Sequence, residues 1–93
     1  MSKIMHTEEL DNLMKGILSL ESLEEAYAFF EDLCTIGELN SLGQRFQVAG
    51  LLEEGRTYQE VAAATGASTA TISRVNRSLH YGNDGYERVL KRL

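Results

Sequence analysis

Short polar side chains and two arginines occupy one stretch of the chain, residues 68–77. No aspartate or glutamate occurs between Thr65 and Asn83, so nothing in this stretch would repel phosphate groups. Arginine can donate two hydrogen bonds to a guanine edge, and short side chains let a helix lie deep in the major groove. A helix face that merely meets solvent would normally mix both charge signs. We therefore predict contact with duplex DNA through Ser68, Thr69, Ala70, Thr71, Ser73, Arg74 and Arg77.

No combination of residues typical of catalysis accompanies this stretch. His6 and His80 lie far apart in the sequence, and neither has a nucleophile at a suitable spacing. Cys34 has no base or activating charge near it in the sequence, so we expect it to pack as a small hydrophobic residue. The sequence contains neither a glycine-rich phosphate loop nor the spacing of metal ligands. We expect no enzymatic activity, no metal and no cofactor.

The charged residues are distributed unevenly along the 93 residues. Residues 1–40 contain nine acidic and two basic residues and carry a charge of −7, whereas residues 41–93 contain five acidic and seven basic residues and carry +2. The asymmetry would keep the first half clear of a polyanion and let the second half touch one, although a plain solvated surface accounts equally well for the charges alone. The asymmetry leaves a second function open, a dimeric protein-interaction module that keeps a helical hairpin without binding DNA.

Helix-forming residues predominate along the whole chain. It contains no proline, and apolar residues recur at spacings of three and four. Ser22 followed by Glu25 predicts a capping box at the start of a second helix, and Gly55 predicts the end of a third. Outside the central segment the pattern predicts four helices, over residues 7–20, 23–34, 38–54 and 83–93.

Residues 57–82 predict two short helices joined by a glycine turn. Thr57 and Glu60 predict a capping box for the first helix, which would end at Gly66, and Ser68 would cap the second. This is the helix-turn-helix arrangement, in which the second helix lies in the major groove of DNA. Helical hairpins also occur in proteins that bind no nucleic acid. The apolar or small residues expected to pack between the two helices are Val61, Ala62, Ile72 and Val75.

The second predicted helix has more apolar surface than one neighbouring helix can cover. A domain of this length buries only about 60–65% of the surface that its unfolded chain exposes, so additional buried area would stabilise it. We therefore predict a homodimer in which the partner chain covers this helix. The apolar side chains concerned are Ala26, Tyr27, Phe29, Phe30, Leu33 and Cys34.

The run Gly-Ala-x-x-Ala-Thr-Ile-x-Arg at residues 66–74 belongs to a longer segment, residues 42–82, that resembles a known family. This segment is similar to the bacterial tryptophan repressor family, and more closely to its YerC-type members. The resemblance implies an all-α fold of six short helices with a helix-turn-helix, in which two chains form an intertwined homodimer. It also implies a transcriptional regulator, expected to be a repressor, that binds a palindromic DNA operator.

The resemblance also implies a ligand pocket. In the family's tryptophan-binding members the indole ring lies between two arginines, and Arg45 and Arg74 resemble that pair. Thr35 and Ser78 match positions that hold the polar end of the amino acid. The family's tryptophan binders have glycine where this chain has Val75, whose branched side chain would fill the space beside the ring. We therefore expect that tryptophan is not a strong corepressor of this protein, although another small effector stays open.

Taken together, these features predict one domain over residues 1–93. Residues 1–54 would form the dimerisation helices, residues 57–82 the DNA-binding helix-turn-helix, and residues 83–93 a carboxyl-terminal helix. A single cysteine and the lack of an apolar run long enough for a signal peptide or membrane span predict a cytoplasmic protein. The resemblance implies a bacterial one. The expected partners are duplex DNA and a second copy of the chain, with no membrane.

Overall fold

The computed structural model describes residues 4–93, and this part of the chain contains α-helices and no strand. The all-α prediction with six short helices is therefore confirmed. No helix within residues 4–93 is both long and apolar enough to cross a membrane. The six helices are α1 (Glu8–Leu18), α2 (Leu23–Leu33), α3 (Ile36–Glu53), α4 (Tyr58–Thr65), α5 (Thr69–Tyr81) and α6 (Gly85–Lys91).

The start of α2 differs in one bond from the capping box predicted for Ser22 and Glu25. The Ser22 hydroxyl accepts a hydrogen bond from the Glu25 backbone N–H at 3.0 Å, as expected of the N-cap residue. The Glu25 carboxylate, however, accepts from the backbone N–H of Glu21 at 3.0 Å and not from that of Ser22. The predicted N-cap is correct, and the predicted return bond is wrong by one residue.

Helix α3 begins at Ile36, two residues before the predicted start at Glu38. The Thr35 hydroxyl accepts from the Glu38 backbone N–H at 3.1 Å, and the Glu38 carboxylate accepts from the Thr35 backbone N–H at 2.8 Å. This reciprocal pair is a capping box, and it places Glu38 inside the first turn. The start was predicted two residues late because this signal, a threonine followed three residues later by glutamate, was not recognised in the sequence.

Residues 40–93 form one unit, and its core is built from α3, α4 and α5. Tyr86 and Leu90 of α6 pack against this core. The prediction that Val61, Ile72 and Val75 turn inward is confirmed, and Ala62 packs at the edge. Fully or almost fully buried are Val48, Ala49, Val61, Ala67, Ile72 and Val75.

The described residues up to Leu39 form a second unit that contains α1 and α2. Neither helix contains a buried residue in the single chain. Phe29 and Phe30 are half-buried and meet edge to face, with ring centroids 5.4 Å apart. Several large apolar side chains are half exposed or more, namely Met14, Leu18, Leu23, Tyr27 and Leu33. Of the six side chains predicted to need a partner, Tyr27 and Leu33 are thus exposed, and the other four are half-buried.

Candidate nucleic-acid interface

Helix α4 is fixed at its start by the capping box predicted from Thr57 and Glu60. The Thr57 hydroxyl accepts from the Glu60 backbone N–H at 3.1 Å, and the Glu60 carboxylate accepts from the Thr57 backbone N–H at 2.9 Å. The bond from the Thr57 backbone holds the pKa of the Glu60 carboxyl below its ordinary value of 4.5, and the Thr57 hydroxyl and Arg56 lower it further. The helix therefore begins at Tyr58, one residue after the N-cap.

The turn between α4 and α5 depends on glycine at its centre. Gly66 has a φ of 72°, in the left-handed region that residues with a Cβ adopt at a cost. Its backbone N–H donates to the Ala62 carbonyl at 2.9 Å, which ends α4. The predicted turn at Gly66 is thereby confirmed, as is the left-handed Gly55 after α3, whose φ is 86°.

Thr65 organises the rest of this turn. Its hydroxyl donates to the Val61 carbonyl at 2.8 Å and accepts from the Ala67 backbone N–H at 3.1 Å. The carbonyl of Thr65 accepts a hydrogen bond from Nε2 of Gln44, on α3, at 3.2 Å. Neither Thr65 nor Gln44 was singled out in the sequence, because the contact joins residues 21 positions apart and no local motif announces it.

Helix α5 starts as predicted, with Ser68 as its N-cap. The Ser68 hydroxyl accepts from the Thr71 backbone N–H at 3.2 Å and donates to the Thr71 hydroxyl at 3.1 Å. Both hydroxyls are thus engaged in the helix start. The helix ends at Gly82, where a Cβ would collide with the carbonyl oxygen of Ser78.

The outward face of α5 contains the residues predicted to contact DNA. Ile72 and Val75 are buried, whereas Thr71 and Asn76 are half-buried at the edges of the exposed face. The first turn of the helix has no acidic residue. Six of the seven predicted contact residues are exposed, namely Ser68, Thr69, Ala70, Ser73, Arg74 and Arg77.

The two arginines of this face are not engaged by carboxylates of the chain. Within residues 4–93 the ion pairs are Arg56 with Glu54 at 3.5 Å and Lys91 with Glu87 at 2.9 Å. Arg74 and Arg77 take part in neither. Their guanidinium groups are therefore available to an anion supplied from outside the chain.

The residues of the predicted ligand pocket lie in different environments. Arg45 is half-buried on α3, Arg74 is exposed on α5, and Val75 is only 2% exposed. Thr35 serves as the N-cap of α3, with its hydroxyl bonded to the Glu38 backbone. The pocket assignment of these residues stays a prediction.

Ser78, the fifth predicted pocket residue, lines an open groove of about 510 Å³ between α3, α5 and α6. The rings of Phe46 and Tyr86 lie in it, with centroids 6.5 Å apart. Arg45, Arg74 and Val75 do not line this groove. This groove could not be predicted from the sequence, because its walls come from three helices. Its lining residues are Phe46, Ser78, Gly82, Asn83, Gly85, Tyr86 and Val89.

Three known proteins are similar in sequence to most of this chain. The protein YerC of Bacillus subtilis is 60% identical over 86 residues, which cover 92% of this chain and 83% of YerC. The crystal structure of a TrpR-like protein from Eubacterium eligens is 63% identical, with a TM-score of 0.91, and covers 94% of this chain and 90% of its own. The crystal structure of a candidate Trp repressor from Staphylococcus aureus is 53% identical, with a TM-score of 0.91 and coverages of 94% and 87%.

The family model of the Trp repressor protein matches residues 8–93, well beyond the 42–82 segment that carried the resemblance. The match includes α1 and α2 as well as the helix-turn-helix. A family match over most of the chain agrees with the likeness to YerC and to the two solved structures. The chain therefore belongs to the Trp repressor family, in its YerC-like branch.

Proposed function

We propose that the protein is a DNA-binding transcriptional regulator that acts as a homodimer and reads duplex DNA with α5. The observation that carries the proposal is the exposed face of α5, which is free of carboxylates and presents two arginines that form no ion pair within residues 4–93. Membership of the Trp repressor family supports the same function. The regulator is expected to be a repressor, and its action requires no catalytic step.

Short side chains at the start of α5 favour base contacts. Thr69, Ala70 and Ser73 are exposed and small, so the helix can approach base edges closely. Arg74 and Arg77 follow on the same face, where they can bond guanine or phosphate oxygens. Ser68 and Thr71 already bond each other and the helix start, so their contribution is to hold the end of α5 that would enter the groove.

A second copy of the chain completes the proposed regulator. The apolar side chains that α1 and α2 leave exposed supply the surface for such a partner. Two copies related by a twofold axis would present two α5 helices, and these would read a palindrome.

The alternative function is a dimeric protein-interaction module. The observation that favours it is the combination of exposed apolar side chains and first-turn acidic residues on α1 and α2. A partner protein with basic and apolar residues would suit this surface. Measurements of DNA binding separate the two functions, because the interaction module requires none of the residues on α5.

Substitutions on α5 test the proposal. We expect Arg77→Ala to weaken binding to all duplexes and to reduce the slope of log affinity against log salt by about one unit, because one phosphate contact is lost. Thr69→Ala should instead change which base pair is preferred. Arg88→Ala, on α6, removes the same charge outside the helix-turn-helix and serves as the control. Unchanged DNA binding by the doubly substituted protein, Thr69→Ala with Arg77→Ala, would place the interface elsewhere.

A further inference from the structure

One hydrogen bond connects α3 with the turn of the helix-turn-helix. The side-chain amide of Gln44 donates from Nε2 to the carbonyl of Thr65 at 3.2 Å, and both groups are partly buried. Thr65 is the last residue of α4, where backbone carbonyls lack partners within the helix. The Gln44 amide satisfies one of these carbonyls from a different helix.

The same turn is braced from inside by the Thr65 side chain. Its hydroxyl bonds the Val61 carbonyl and the Ala67 backbone N–H, on either side of the left-handed Gly66. Ala67 is buried, and Ser68 immediately after it begins α5. Hydrogen-bonded or buried groups therefore connect the Gln44 side chain to the start of α5.

Gln44 also lies on the appropriate side of α3. Val48 follows it by one helical turn and is fully buried in the same core as Val61 and Ile72. On the face of α3 that packs on the helix-turn-helix, Val48 thus makes apolar contacts, and Gln44, one turn earlier, makes a hydrogen bond. Apolar packing alone is non-directional, whereas a hydrogen bond fixes a particular position of the turn.

We infer that Gln44 is a positioning residue for DNA recognition, which fixes the turn at Thr65 and thereby the direction in which α5 leaves it. The inference rests on the proposed function, because the orientation of α5 matters only if α5 reads DNA. The contact lies within the chain and needs no ligand. Gln44 would therefore hold the start of α5 from within the chain.

The test compares the full-length protein with Gln44→Met, which keeps the length of the side chain and removes the donor. Gln44→Glu is a second variant, in which a carboxylate oxygen would face the Thr65 carbonyl. Gln47→Met is the matched control, since Gln47 lies on the same helix and is exposed. Two quantities are measured for each protein: hydrogen exchange of the Ala67 backbone N–H, and the ratio of affinities for a selected duplex and a scrambled duplex.

We expect both Gln44 variants to exchange the Ala67 N–H faster than the original protein and to lose about three- to tenfold in the affinity ratio, as befits one lost hydrogen bond. The Gln47 control should change neither quantity. A purely structural role would lower the thermal midpoint and leave the affinity ratio of the folded protein unchanged, and that result would overturn the inference. Unchanged exchange at Ala67 would overturn it too.

Failure of the proposed function gives a different result. If the original protein binds no duplex, selected or scrambled, the proposed function is wrong and the role of Gln44 in DNA recognition is wrong with it. If the original protein discriminates between duplexes and the Gln44 variants discriminate equally well, only the inference about Gln44 is wrong.

Discussion

Val75 has two consequences for this protein. Its side chain is 2% exposed and lies in the core formed with Val48 and Ile72, so it anchors α5 to the rest of its unit. The resemblance to tryptophan-binding relatives places a glycine at this position, beside the indole ring. A branched side chain there would overpack the pocket, at a cost of about 1–3 kcal/mol.

We predict that the protein binds tryptophan weakly and that Val75→Gly strengthens this binding by about five- to 150-fold, the equivalent of that cost. The same substitution should reduce stability, because it removes a buried side chain and puts glycine inside a helix. Calorimetric titration of both proteins with tryptophan measures the affinities. Micromolar binding by the unmodified protein, coupled to tighter DNA binding, would show that the steric argument is wrong.

Capping hydrogen bonds between residues three positions apart could be predicted from the sequence, whereas contacts between residues far apart in the sequence could not. Ser68 and Thr57 were identified as N-caps because the residues that they bond lie three positions away. Gln44 bonds a carbonyl 21 residues away, and a glutamine in a helix carries no mark of such a contact. The groove around Phe46 and Tyr86 was missed for the same reason.

The helices follow from local signals at their ends. Predicted and observed starts agree to within two residues for each of the six helices. For α2, α4 and α5 the prediction rested on the N-cap side chain, which acts within one turn of the helix. The start of α6 is less regular. Its N-cap Asp84 is of a residue type common at N-caps, but it adopts a φ of 63° and makes no side-chain capping bond, and neither feature could be predicted from the sequence.

The left-handed turn at Gly66 gives a prediction for stability. Open space surrounds both Gly66 and Gly43, so an added methyl group meets no atom at either site, and only the backbone differs. Gly66→Ala should destabilise the protein by about 1–2 kcal/mol, because alanine is strained at positive φ. Gly43→Ala, inside α3, should stabilise it by about 0.5–1 kcal/mol. Urea unfolding at equal protein concentration measures both, and equal effects of the two substitutions would contradict the role assigned to Gly66.

The capping box of α4 gives a prediction for pH dependence. The folded pKa of Glu60 is below 4.5, so its bond to the Thr57 backbone stabilises the folded state above that pH and is lost as the pH falls through the folded pKa. Stability should therefore decline as the pH falls below about 4.5, and this decline should be less steep for Glu60→Gln. Unfolding measured at successive pH values provides the comparison, with Glu31→Gln on α2 as control. Identical pH profiles for the original protein and Glu60→Gln would refute the assignment.

Among the described residues up to Leu39, which include α1 and α2, none is buried in the single chain, whereas residues 40–93 have a core of their own. The sequence predicted this shortage of burial from the chain length and from the apolar circumference of the second helix. The sequence could not predict how two copies would cover the apolar surface of α1 and α2, because such a contact depends on the shape of both chains. The proposed division into 1–54, 57–82 and 83–93 stays a prediction.

We predict an obligate homodimer whose unfolding depends on protein concentration. Dissociation accompanies unfolding in such a protein, so dilution favours the unfolded chain by mass action. The urea midpoint should fall over a hundredfold dilution, and light scattering should give twice the mass of the 10.4 kDa chain. A constant midpoint together with a monomer mass would contradict the prediction.

Selection of duplexes from a random library is the most direct test of the proposed function. The original protein, the control variant Arg88→Ala and the doubly substituted Thr69→Ala, Arg77→Ala protein are used at the same concentration. The control should enrich the same sequences as the original protein. We predict enrichment of a palindrome whose half-sites are centred about 10 base pairs apart, one turn of DNA, and loss of this enrichment in the double variant. A library without any enriched sequence, or the same palindrome selected by the double variant, would contradict recognition of DNA by α5.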